Sequence, residues 1–334
     1  MNQANVSFTR DANVNHVHTV RRTTNDVLEQ AKALPFWSQD YTQLDKGSFT
    51  GSVISVANSG IQVFKEAMNR SVDEIARAPR DSYVIGLPTI VEGEGFWGGA
   101  RLNKNSLITL DKNTELLFRT SQSSEINVAV FSRQRLESYA FNVERMDLSE
   151  IMKDVNPVEA LPTNIRHKLH AALFIGIEHI SQYDDQRNVQ NIWRHFEDNL
   201  LNASFQALMH AHENTGRQSN HRIHRHIVNC VRDLTLAKNS EPWTIGELCS
   251  TLHISRRTLN HAFKQVLGIT PVTYMRHVRL HKVRAEIQSA PDQVMSIANI
   301  ASKWGFWHMS LFSRYYRELF GECPSDTLEQ ARAA

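Results

Sequence analysis

One pattern is written twice near the C-terminal end of this 334-residue chain, and a duplicated unit restricts the fold more sharply than composition can. TIGELCSTLHISRRTLNHAFKQVLGITP and SIANIASKWGFWHMSLFSRYYRELFGECP align so that Ile245, Leu248, Cys249 and Ile254 match Ile297, Ile300, Ala301 and Phe306 at a separation of 52. One residue is then added in the second copy, and Leu259, Phe263, Leu267, Gly268 and Pro271 match Phe312, Tyr316, Phe320, Gly321 and Pro324 at 53. Each copy reads as a short helix, a tight turn and a longer helix closed by Gly and then Pro, which is the helix-turn-helix plan. Ser255 is placed to cap the longer helix of the first copy, and Gly305 can supply positive φ in the second turn. Small Cys249 and Ala301 stand where the helices of each copy must cross closely. That crossing leaves the longer helix projecting.

A projecting helix fits the major groove of DNA, with its N-terminal residues on base edges and neighbouring basic groups on phosphates. With Leu259, Ala262, Phe263 and Val266 turned inward, Arg256, Arg257, Asn260, His261 and Lys264 face outward in the first copy. In the second the outward set is His308, Ser310, Ser313, Arg314 and Arg317. Arg can donate twice to guanine and Asn can bridge adenine. Lys264, Arg276, Arg279, Lys282 and Arg317 are the expected phosphate contacts. Charge agrees: residues 222–334 hold 15 Lys+Arg against 9 Asp+Glu, whereas residues 1–221 hold 22 against 26. A positive balance confined to one region implies an anionic partner there.

The run HISRRTLNHAF with GITPVTYMRHVRL, followed by GFWHMSLFSRYYRELFGECPSDT, resembles the DNA-binding domain of the AraC/XylS transcription regulators over about residues 222–328. The family's signature falls on Gly305, Phe306, Phe312, Arg314, Tyr316, Arg317, Phe320, Gly321 and Pro324. The resemblance implies two helix-turn-helix units joined by a long helix, here about Pro271 to Ser289, that enter successive major-groove segments on one face of double-stranded DNA. By position it implies base contacts from Arg257, Asn260, His261, Ser310 and Arg314. His261 departs from the family, where Arg is frequent. The resemblance also implies activation more than repression, paired DNA sites served by a homodimer, a contact with RNA polymerase, and a small-molecule effector bound by the N-terminal part. RRTTNDVLEQAKALPFWSQDYTQL, GFWH and the chain length are similar to the ethanolamine-utilisation regulator branch, a likeness that carries no effector with it.

Upstream, FTGSVISVAN, IQVFKEAM, SYVIGLPTI, SLITL, ELLFRT and INVAVF mix β-branched or aromatic residues with polar ones between turn formers, so strands are predicted from about Phe49 to Phe131. Apolar Ile165, Leu169, Leu173, Ile177 and Ile180 then repeat at helical spacing over 163–181, and Ile192, Phe196, Leu200, Ala203 and Ala207 do so over about 189–212. Ala172 and Phe174 beside the first stripe, and Leu201, Phe205 and Leu208 beside the second, suggest a second apolar face for a partner protomer. HENTGRQSNHR is polar and carries Gly216, which suits a linker. The expected architecture is α+β. A β-barrel or sandwich, cupin-like, with a helical dimerisation pair occupies 1–212, a linker 213–221, and an all-α double helix-turn-helix domain 222–334.

Other constellations carry less. GEGFWG (93–98) matches a dinucleotide-loop spacing, but Phe96 and Trp97 are bulky and Glu92 and Glu94 acidic where phosphates would approach. Phe96 and Trp97, with Phe36 and Trp37, are candidates to line an effector pocket, the alternative being ordinary core aromatics. His210, His212, His221, His224 and His226 lack the HExxH or Cys-pair spacing of a metal site. No catalytic constellation stands out, so neither enzymatic activity nor a cofactor is expected. The polar N-terminus, the lack of an apolar stretch near 20 residues and three well-separated cysteines suit a cytoplasmic protein with no membrane segment. A ligand-independent regulator, controlled by dimerisation or by a protein partner, is the other reading.

Overall fold

A computed structural model describes residues 17–182, 186–213, 221–237, 242–289 and 296–333. Residues 214–220, most of the expected linker, lie outside them. The chain forms two compact units. The first comprises residues up to Arg217 except Thr42–Phe49 and Arg70–Asp73, which belong with Gln218–Ala334 in the second.

The strands are β1 (His18–Thr24), β2 (Ser38–Gln43), β3 (Gly51–Ala57), β4 (Ile61–Met68), β5 (Val72–Arg77), β6 (Ser82–Glu92), β7 (Phe96–Trp97), β8 (Ala100–Arg101), β9 (Ser106–Leu110), β10 (Glu115–Arg119), β11 (Ser123–Ser132) and β12 (Val158–Ala160). They form a seven-stranded sheet ordered β1-β3-β4-β11-β6-β9-β12 and a five-stranded sheet ordered β2-β5-β10-β7-β8. This is an antiparallel sandwich, and each of the six predicted segments overlaps one of its strands. Alternation decides where side chains go. Val128 and Val130 of β11 enter a core between the sheets with Val53, Phe64, Val84 and Phe118. Ala129 and Phe131 enter a second core with Ile61, Val63, Ile85 and residues of the covering helices. A strand buried on both faces reads as a continuous apolar run, which is why INVAVF was legible. Strands β1, β2 and β5, with sequences HTVRRTT, SQDYTQ and VDEIAR, carry no such signal. They are held by pairing: β1 lies at the sheet edge in register with β3, Val20 opposite Ser55.

Short helices α1 (Val27–Gln30), α2 (Arg133–Tyr139) and α3 (Leu148–Asp154) precede α4 (Thr163–Phe174) and α5 (Gln186–Glu213). A π-helical turn over Ile175–His179 extends α4, and there Gly176 lets Phe196 approach: a Cβ would stand 2.5 Å from its Cζ. Leu169, Leu173, Ile177, Phe196 and Leu200 pack on the large sheet as their spacing predicted. The second apolar face does not stay free. Ala172, Leu201, Phe205 and Leu208 are buried within the same core, Phe205 edge-on to Tyr139, so only Phe174 of that set is exposed.

The second unit contains α6 (His221–Ala237), α7 (Ile245–Thr251), α8 (Arg256–Leu267), α9 (Pro271–Ser289), α10 (Ile297–Lys303), α11 (Met309–Phe320) and α12 (Pro324–Ala333). It has two cores. Val228, Val231, Leu248, Leu259, Phe263 and Val266 form one with Tyr274, Met275 and Val278 of α9. Ile300, Ala301, Phe312, Tyr316 and Leu319 form the other with Leu280, Val283 and Ile287 of the same helix. One long helix therefore closes both cores, and it buries residues all round instead of along one stripe.

Residues 42–49 and 70–73 complete this unit. The Gln43 amide N–H donates to His281 Nε2 at 2.9 Å and the Gln43 carbonyl accepts from His277 Nδ1 at 3.1 Å. The Gln43 side-chain amide donates to Leu319 O at 2.8 Å, and Tyr274 Oη donates to Asp73 Oδ2 at 2.9 Å. Burial is the larger effect on His277 and, with Arg276 adding to it, pulls its pKa down to about 4.

Candidate nucleic-acid interface

The duplicated pattern is a duplicated structure down to its hydrogen bonds. Thr244 caps α7 by accepting from the Glu247 amide, and Ser296 caps α10 by accepting from the Asn299 amide. The Ile254 amide donates to Cys249 O at 3.0 Å, and the Phe306 amide to Ala301 O at 3.0 Å, the six-to-one closure that ends a helix. His253 at φ 52° and Gly305 at φ 77° occupy the same left-handed position. Ser255 then caps α8 by accepting from the Thr258 amide at 3.0 Å, while His308 precedes α11 with no side-chain cap. Gly268 and Gly321, at φ 67° and 79°, end the two longer helices.

This frame sets which side chains point outward. Leu259, Ala262, Phe263 and Val266 are at most 1% exposed, and Phe312, Tyr316 and Leu319 likewise. Arg256, Arg257, Asn260, His261 and Lys264 are all exposed along α8, and so are Ser310, Arg314 and Arg317 along α11. Ser313 is half-buried. Asn260 Nδ2 donates back to Arg256 O at 3.0 Å, which holds the amide close to the helix surface. The His261 ring stands edge-on to His224 of α6 at 5.0 Å. Burial, and after it the charge of His261, lowers the His224 pKa.

On α11, Arg314 lies over the Tyr315 ring at 5.2 Å with Arg276 of α9 against the same ring at 4.1 Å. Arg317 donates from Nε and Nη2 to Cys323 Sγ at 3.2 and 2.9 Å. Two cations on one aromatic ring form a basic ridge with limited freedom, suited to an anionic surface.

Arg279 departs from the phosphate contact expected of it. Its guanidinium lies over the Phe306 ring at 5.1 Å and donates to Trp304 O at 3.4 Å, which ties α9 to the second turn. Burial, with Arg276 nearby, brings its pKa down to about 10. Pattern reading also passed over Arg284. This buried cation donates to Glu322 Oε1 at 2.7 Å and lies over Phe320 at 4.6 Å.

In the first unit, Phe36, Trp37 and Trp97 of the four aromatics proposed for an effector pocket pack in or against one core. Trp97 is 1% exposed and donates from its indole to Thr109 O at 2.8 Å, while Trp37 donates to Gln62 Oε1 and meets Phe64 edge-on. Phe96 is half-buried under Arg119. A cleft of about 330 Å³ bounded by Thr23, Ser52, Met68, Asn69, Ile90 and Ser124 and one of about 360 Å³ between α4 and α5 include none of the four. Among the described residues no group of three His, Cys, Asp or Glu is arranged to hold a metal, and no described helix is long and apolar enough to cross a membrane.

Residues 248–330 match the family profile described as a helix-turn-helix domain. The chain is 37% identical over 89 residues to the XylDLEGF operon transcriptional activator of Pseudomonas putida, which is 27% of this chain and 28% of that one. It is 30% identical over 102 residues to the probable thc operon regulatory protein of Rhodococcus erythropolis, covering 30% of this chain and 31% of the other. Each alignment thus spans less than a third of the relative's length. A crystal structure of a probable AraC family transcriptional regulator from Rhodopseudomonas palustris is 31% identical over 32% of this chain and 97% of that one, with a TM-score of 0.30.

Proposed function

The C-terminal domain of this chain belongs to the AraC/XylS family of transcription regulators, and on that premise we propose that the whole protein is a sequence-specific DNA-binding regulator that activates transcription. The observation that carries this reading is the pair of projecting helices α8 and α11, each backed by its own core, with Arg257, Asn260, Ser310 and Arg314 on their outward faces. In this reading both enter successive major-groove segments. Arg256, Arg257, Asn260 and His261 discriminate bases in one, and Ser310, Ser313 and Arg314 in the other. Lys264, Arg276, Lys282 and Arg317 neutralise phosphates. Attachment of both helix pairs to the single helix α9 supports a fixed separation between them.

The β-sandwich is the proposed sensor. An effector that favours one arrangement of a homodimer would shift how the DNA-binding domains, and their contact with RNA polymerase, are presented. Exposed Phe174 and Ile175 offer apolar surface for the dimer. No enzymatic role is proposed. The family match begins at residue 248 and omits 21–44, the longest stretch that carries the likeness to ethanolamine-utilisation regulators, so no effector is inherited from that likeness.

Selection of duplex DNA from a random library by the full-length chain tests the reading. Enrichment of a paired motif, with affinity falling steeply as salt rises, is expected; no enrichment at any salt concentration would refute sequence-specific binding. A metabolite panel monitored by thermal shift tests the sensor: ligand at 100 times its Kd adds about 2.7 kcal/mol.

A further inference from the structure

The second turn differs from the first by one residue, and that residue is Trp307. Hydrogen bonds match through Ile254 and Phe306, and the residues that precede the two longer helices match again as Ser255 and His308, so the insertion lies between Phe306 and His308. Its indole is not used to fill the core. Trp304, Phe306, Phe312, Tyr316 and Phe320 supply the aromatic packing of that core and are at most 8% exposed, whereas Trp307 is 62% exposed. Leu311, four residues on, is 40% exposed. At 100° per residue Leu311 lies on the outward side of α11 next to Arg314, with Ser310 on the other side of that arginine. The corresponding position in α8 is Thr258, half-buried and bonded to Ser255 Oγ at 2.9 Å. The first reading face is therefore polar throughout, while the second carries an apolar edge beside Arg314, with Arg276 against the neighbouring Tyr315 ring.

We propose that Trp307 and Leu311 form an apolar reading edge for thymine methyl groups in the major groove, so that the half-site under α11 is marked by thymine and that under α8 by hydrogen-bonding bases. The inference rests on the DNA-binding reading. The basic frame selects an anionic partner, and the C5-methyl of thymine is the one apolar group that a base pair presents in that groove. Large exposed apolar side chains at the head of a helix are unfavourable in water and become favourable when such a surface covers them.

The test uses the full-length chain, Leu311→Ser and Trp307→Ala, each selecting duplex DNA from a random library. Each thymine of the wild-type motif is then replaced singly by deoxyuridine, which removes only the methyl group. The expected result is an affinity loss of about fourfold for the wild type at one or two thymines, the effect of one buried methyl, and no loss at those positions for Leu311→Ser. If the wild type enriches a motif but tolerates every uracil within twofold, the reading edge is overturned while the DNA-binding assignment stands. Variants that keep the thymine preference but lose transcriptional activation would place a protein on this edge instead. If the wild type enriches nothing, both readings fall together.

Discussion

Arg284 Nη1 and Glu322 Oε1 lie 2.7 Å apart, and this pair joins α9, the helix that spans both cores, to the turn after α11. The arginine side chain is 7% exposed and the glutamate 21%, with Tyr316 Oη and Thr327 Oγ1 also accepting from the guanidinium at 3.4 and 3.3 Å. Removing one member leaves a charge in a poorly solvated place, which costs more than removing both. Glu322→Ala should lower stability by about 2–4 kcal/mol in urea unfolding, and Arg284→Met added to it should recover part of that loss. If the double variant is no more stable than Glu322→Ala, the pair is not what positions α11.

The two turns make an asymmetric prediction. His253 holds a left-handed φ that Gly305 holds without a Cβ, and a Cβ at Gly305 would lie 3.0 Å from Pro242 Cγ and 3.1 Å from Arg279 Nη1. His253→Gly should leave stability unchanged or raise it by up to about 1 kcal/mol, since relief of strain competes with a more flexible unfolded chain. Gly305→Ala should lower it by about 1–2 kcal/mol. Melting temperatures moving in the same direction in both variants would show that the turns are not equivalent.

Acid should weaken the second unit through His277. Its folded pKa near 4 lies below the ordinary 6.5, so the unfolded chain binds more protons between those values. Stability present above pH 6.5 is lost progressively as pH falls towards 4, by about 2 kcal/mol at pH 5. His277→Asn, which keeps a donor for the Gln43 carbonyl, should flatten this dependence. An unchanged urea midpoint between pH 7.5 and 5 in the native protein would contradict it.

Lys264 and Arg279 were expected to do the same work and should now separate. Lys264→Ala should reduce the slope of log affinity against log salt by about 0.9 with little effect on folding. Arg279→Ala should leave the slope alone and cost about 1–2 kcal/mol of stability, because its guanidinium is held by Phe306 and Trp304. A salt slope that changes equally in both variants would return Arg279 to the phosphates.

What could be read ahead of the structure followed from periodicity. The buried sets Leu259, Ala262, Phe263 and Phe312, Tyr316, Phe320 fix two helix faces, and their complements name Arg257 and Arg314 without any further information. INVAVF was legible because both its faces are buried. HTVRRTT was not, since an edge strand with exposed side chains is set by its neighbour and not by its own pattern. Arg279 and Arg284 look alike in sequence, as basic residues on one long helix. Only the packing of Phe306 and Glu322 against them turns both inward. The Gln43 contacts with His277 and His281 join residues more than 230 positions apart, a separation at which no local rule acts. Of the aromatics Phe36, Trp37, Phe96 and Trp97, pattern alone does not separate core from lining, and the fold buries Trp97 in the core.

In the proposed function α8 and α11 read bases. Affinities of the wild type, Arg257→Ala and Arg314→Ala should be measured side by side on the selected duplex and on a random duplex of the same length at one fixed salt concentration. Each variant is predicted to lose about 1–3 kcal/mol on the selected site and little on the random one. Equal losses on both duplexes, or none on either, would contradict base reading by these helices.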